Sequence, residues 1–160
     1  MEAYIKLKKD EDILRFKIQD EEGNDTGEVL EFDLKDIELP FRYQELIERD
    51  KKARTKLKAD MVAIEKKKDV KGKKLYSSNE EATIKAVRDF YKEEEEIYNM
   101  FLGKDGVKKL LHGRALGITT LNEIDEIIMT YIVPKLEENA KDIKKEIMNK
   151  YSDKKSDVIE

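Results

Sequence analysis

Apolar and polar residues alternate with a period of two near the start of this chain, then settle into spacings of three and four. In residues 13–18 (ILRFKI), Leu14, Phe16 and Ile18 alternate with Arg15 and Lys17. In 29–34 (VLEFDL), Leu30, Phe32 and Leu34 alternate with Glu31 and Asp33. Each is the pattern of a half-buried strand, and the two polar faces carry opposite charge. Between them DEEGNDTG (20–27) offers Gly23, Asn24 and Gly27 for the positive-φ positions of a hairpin loop. The pattern predicts a β-hairpin within residues 1–36, with Arg15 and Lys17 near Glu31 and Asp33. Ala3 to Lys8 reads as a weaker third strand through Tyr4, Ile5 and Leu7.

From Pro40 the period lengthens. Proline is tolerated in a first helical turn and no breaker follows until Gly72, which predicts a helix over 40–68. Its apolar positions are Phe41, Tyr43, Leu46, Ile47, Ala53, Leu57, Met61 and Ile64, in a narrow stripe interrupted at Asp50. Residues 66–76 read as a basic loop. Ser78 with Glu81 has the spacing of a capping box and opens a helix over 78–102. There Ala82, Val87, Phe90, Tyr91, Ile97, Tyr98, Phe101 and Leu102 form a wide aromatic stripe, the expected centre of the core, and Gly103 ends the helix. A short helix over 105–112 lies between Asp105 as cap and Gly113 as stop, with Val107, Leu110 and Leu111 facing inward.

Thr120 with Glu123 repeats the capping spacing and opens a helix over 120–150, running through Leu121, Ile124, Ile127, Ile128, Tyr131 and Ile132. Pro134 has no N–H for the Thr130 carbonyl, so a kink or break belongs there. The stripe resumes more thinly at Leu136, Ala140, Ile143, Ile147 and Met148, and 151–160 reads as a disordered polar tail. The expected fold is α+β, mainly α: an N-terminal β-hairpin followed by four to five helices in a single domain over 1–150.

Composition narrows the function. Lys and Arg number 33 against 37 Asp and Glu, a formal charge of −4, so the basic excess usual in nucleic-acid binders is missing. No apolar run approaches the roughly 18 residues of a membrane span, and the first residues lack the apolar stretch of a signal peptide. The expectation is a soluble protein of the cytoplasm. With no cysteine and one histidine, thiolate chemistry is excluded and a zinc site is nearly so.

The remaining chemical candidates have ordinary explanations. His112 precedes a helix-stopping glycine, where an imidazole complements the negative end of the helix dipole. The run Glu93 to Glu96 cannot converge, because consecutive helical residues point in different directions, and it reads as a solvated face. Lys66, Lys67, Lys68, Lys71, Lys73 and Lys74 form the basic cluster, with Tyr76 the nearby aromatic, and read as a flexible solubilising loop. FLGKDGVKKLL lacks the spacing of a P-loop and follows a helix. The expected catalytic, cofactor-binding and metal-ligating residues are none, and the expected cofactors are none.

The order of these parts has a likeness. A short hairpin leading into helices, with IYNMFLGKDGVKKLLHGR (97–114) and then LNEIDEIIMTYIVPKLEE (121–138), resembles the tail assembly chaperones of long-tailed phages and prophages of Gram-positive bacteria. The likeness centres on Phe101, Leu102 and Gly103 followed by the helix carrying Leu110 and Leu111. It covers about 85–138, is looser over the hairpin, and is absent from 50–80 and the tail. It implies a non-enzymatic protein that coats the tape measure protein during tail assembly, helps recruit tail tube subunits, and is absent from the mature particle. Members of that family commonly self-assemble.

Leu57, Met61 and Ile64 are the expected partner-binding residues, on helix one, with the segment after Pro134 as a second candidate; packing within the monomer is the competing account. Two other functions stay open. A structural connector or tail completion protein would persist in purified particles. A small helical nucleic-acid-binding regulator would show salt-sensitive binding that is lost when Lys66, Lys67, Lys68, Lys73 and Lys74 are neutralised.

Overall fold

A computed structural model describes residues 1–6 and 12–152. The hairpin consists of β1 (Ile13–Gln19) and β2 (Asp25–Asp33), paired antiparallel. Leu14 lies opposite Phe32 and Phe16 opposite Leu30, so the apolar rows share one face. Opposite charges meet on the other face: Arg15 Nε donates to Glu31 Oε1 at 3.0 Å. Lys17 instead falls opposite Val29. In the turn, Asp20 accepts the N–H groups of Glu22 and Asn24, while Gly23 and Gly27, but not Asn24, take positive φ.

Of the expected third strand, the described residues 3–6 carry no regular structure, and Tyr4 and Ile5 are exposed. Leu7 and Lys8 lie outside the described residues.

Helix α1 spans Leu39–Glu65, with Pro40 in its first turn. Its seam is narrower than the apolar positions suggest. Leu39, Leu46, Ala53 and Ile64 are buried and Tyr43 and Leu57 half-buried, whereas Phe41 and Ile47 stand out in solvent. With Asp50 and Met61 filling its gaps, the first set keeps to steps of three and four along one face.

Helix α2 (Ser78–Leu102) packs antiparallel to α1, with Tyr43 against Phe101 at 5.6 Å between ring centroids. Phe101 also meets Phe32 at 5.7 Å, so one ring joins hairpin, α1 and α2. The cap of α2 is Ser77 rather than Ser78: the Ser77 hydroxyl accepts the Glu80 N–H at 3.2 Å. Ser78 and Asn79 instead tie down the preceding loop. Ser78 Oγ accepts the Val70 N–H, Asp69 accepts the Asn79 N–H, and the Asn79 amide donates to the Lys67 carbonyl.

Helix α3 (Gly106–Leu111) is short and buries Val107 and Leu111. Asp105 precedes it in the left-handed region (φ +55°) and makes no side-chain cap. The capping acceptor is Asn99 Oδ1, which takes the Val107 N–H at 2.9 Å. His112 closes the helix, also left-handed (φ +45°), with Gly113 after it.

Helix α4 covers Ile118–Ile127, beginning two residues before Thr120. Thr120 sits in its first turn, where its hydroxyl accepts the Gly117 N–H at 2.8 Å, and Glu123 pairs with Arg114 at 3.0 Å rather than closing a capping box. At Pro134 the helix is interrupted by a π-helical turn over Ile128–Ile132, followed by α5 (Val133–Ile147). The Val133 N–H reaches back five residues to the Ile128 carbonyl, which widens the turn around the proline. A second π-helical turn covers Met148–Ser152. The polar tail beyond Ser152 lies outside the described residues.

The core runs through Ile97, Tyr98, Phe101, Val107, Ile124 and Ile132, all nearly inaccessible. The whole is an antiparallel hairpin followed by helices, α+β and mainly α.

Candidate functional sites: an apolar helix face and a buried acid cluster

Helix α5 supplies the first site. Val133 and Leu136 anchor its start in the core, and the Asn139 amide donates to the Leu34 carbonyl at the hairpin's root. Beyond that point the apolar stripe continues over Ile143, Ile147, Met148 and Tyr151, at spacings that keep to one side of the rod. Ile143 is half-buried, but Ile147, Met148 and Tyr151 are 47%, 51% and 59% exposed. Lys141, Lys145 and Glu146 are exposed on the rest of the circumference, and Lys144, also exposed, stands within the stripe, three residues from Ile147 and four from Met148. An amphipathic helix with its apolar face open is built to receive another apolar surface.

The α1 residues expected to bind a partner are placed differently. Ile64 is buried, Leu57 packs half-buried against the core, and Met61 is half-buried. Leu57 shares a shallow cleft with Ala53, Ala86 and Phe90, so this part of the seam faces α2. A second apolar groove lies beside β1, lined by Phe16, Ile18, Leu30, Leu110, Ile127 and Tyr131. Tyr131, read from the sequence as part of an inward stripe, is 57% exposed at its rim.

The second site was not expected. Of the run Glu93 to Glu96 only Glu96 is exposed, Glu93 and Glu95 are half-buried, and Glu94 is wholly buried with no hydrogen-bond donor reaching either carboxyl oxygen. Asp50 and Arg54 of α1, Tyr98 one turn along α2, and Asp125 of α4 gather around it. Arg54 Nε donates to both Asp50 oxygens at 3.0 Å, and the Tyr98 hydroxyl donates to Asp125 Oδ1. Three acids therefore share one guanidinium. Burial, then the hydrogen bond and charge of Asp50, push the Glu94 carboxyl up to about 9. It is a neutral acid at physiological pH, and its proton serves the Asp50 carboxylate. Burial likewise raises Asp125, and it raises Tyr98 with the Asp125 bond adding to the effect.

A sequence signal for this cluster does exist. Leu39, Tyr43, Leu46, Asp50, Ala53 and Leu57 step by four and three, so Asp50 fills a seam position, and Glu94 lies four residues from both Phe90 and Tyr98. Consecutive glutamates do point in different directions; for that same reason one of the four has to point inward.

The other chemical candidates are surface features. His112 is exposed at the end of α3. The lysines of 66–74 are exposed on a loop that is bonded down at Lys67, Asp69 and Val70 rather than free. Among the described residues no three acidic or histidine side chains are arranged to hold a metal ion, and no helix is long and apolar enough to cross a membrane. Compared with models of protein families, with curated proteins and with solved structures, the chain matches none of them.

Proposed function

We propose that this protein is a non-enzymatic assembly chaperone whose α5 face shields an amphipathic helical client. The observation that carries the proposal is the apolar stripe Ile143, Ile147, Met148 and Tyr151, open on a helix whose first turns are anchored in the core. A client helix laid along it would bury apolar surface on both partners at about 25 cal/mol per Å². The sequence likeness to phage tail assembly chaperones supplies the client: the tape measure protein, with tail tube subunits recruited afterwards. The central carboxyl of the acid cluster, Glu94, is inaccessible to a substrate, which favours a binding role over a catalytic one.

Co-expression tests this function. A tape measure protein that is insoluble alone should become soluble with the wild-type chain. It should stay insoluble with a chain carrying Ile147→Glu and Met148→Glu whose own melting is unchanged. A client that is equally insoluble with the wild type would refute the proposal.

A further inference from the structure

Asp50 and Glu94 occupy facing seam positions where α1 and α2 otherwise meet through apolar side chains. Such a pair is costly as two anions and acceptable as one anion and one acid. The groups facing Glu94 are Asp50 and Arg54 from α1, Tyr98 from its own helix and Asp125 from α4. Arg54 bonds both Asp50 oxygens through its Nε, and the Tyr98 hydroxyl is committed to Asp125. No donor, the Arg54 Nη groups included, reaches the Glu94 carboxyl in the closed form.

We propose that the Asp50–Glu94 pair is a proton-held clasp that keeps α1 docked on α2 and α4, and that α1 opens as a unit when Glu94 gives its proton to water. In the closed form the Glu94 O–H donates to the Asp50 carboxylate. In the open form the Glu94 O–H bond breaks, the proton passes to solvent, and both carboxylates are hydrated. Opening therefore releases one proton and becomes easier as pH rises. It uncovers Leu46, Ala53 and Leu57, an apolar face distinct from that of α5. The clasp does not depend on the chaperone reading.

Amide hydrogen exchange on the full chain, resolved by residue and corrected for the intrinsic rate, tests the clasp. The opening constant for α1 amides near Asp50 should rise about tenfold per pH unit across roughly pH 5 to 9, while the α2 and α4 amides open more rarely. In Glu94→Gln, which keeps the shape without the titration, the pH slope should vanish. A second measurement stands apart from any variant's folding: the infrared spectrum of the wild type at neutral pH should contain a protonated carboxylic acid band. An α1 opening constant independent of pH, α1 and α2 amides opening together with one constant, or the absence of that band would each overturn the proposal.

Discussion

Glu94 is the residue whose chemistry departs furthest from its type. Its carboxyl, held up to about 9 by burial and Asp50, keeps a proton that the unfolded chain gives up above about pH 4.3. Between those values the native state binds one more proton than the unfolded state. Stability is therefore fullest at the acidic end and falls as pH rises toward 9, by about 1.4 kcal/mol per pH unit for one proton. Urea unfolding at pH 6 and pH 8 should show the higher stability at pH 6, and Glu94→Gln should flatten the difference; stability rising with pH would contradict the assignment. Gly106 gives a second test at this scale. A Cβ there would lie 2.6 Å from Leu102 Cβ, too close for the short α3 to pack beneath α2. Gly106→Ala should cost about 1–3 kcal/mol in the same assay. The sequence does not single out Gly106, because the clash arises between neighbouring elements.

At the scale of elements, helix positions were legible to within a few residues, and so was the stop at Gly103, but the N-terminal caps were not. Both Ser77 and Ser78 can cap, and the choice depends on the loop. Ser78 is drawn to Val70 and Asp69, which leaves Ser77 for the Glu80 N–H. Ser77→Ala should cost about 1 kcal/mol, with the loss read as earlier thermal unfolding; no change would mean that Ser77 is not the cap. Thr120 shows the same limit, since its hydroxyl serves the backbone N–H before the helix rather than after it. The disturbance at Pro134 was legible, because a missing N–H is a property of the residue, but its form as a π-helical turn depends on Ile128 and Ile132 being held in the core on either side.

At the scale of the whole molecule, the hairpin and helices join through the ring of Phe101, which the aromatic stripe of α2 placed at the centre of the core. The sites divide in the same way. The segment after Pro134 was visible as an amphipathic stripe, while the exposure of its far half depends on the body ending near Leu136. Leu57, Met61 and Ile64 looked equally available in the sequence; Ile64 is buried, and Leu57 and Met61 are half-buried. The claim that most of this rests on is that the α5 face binds a helical client. The direct measurement is a titration of a fluorescently labelled helical fragment of a tape measure protein with the wild-type chain and with the chain carrying Ile147→Glu and Met148→Glu. The account predicts saturable binding by the wild type and at least tenfold weaker binding by the variant, with equal melting temperatures; equal affinity for both chains would contradict it.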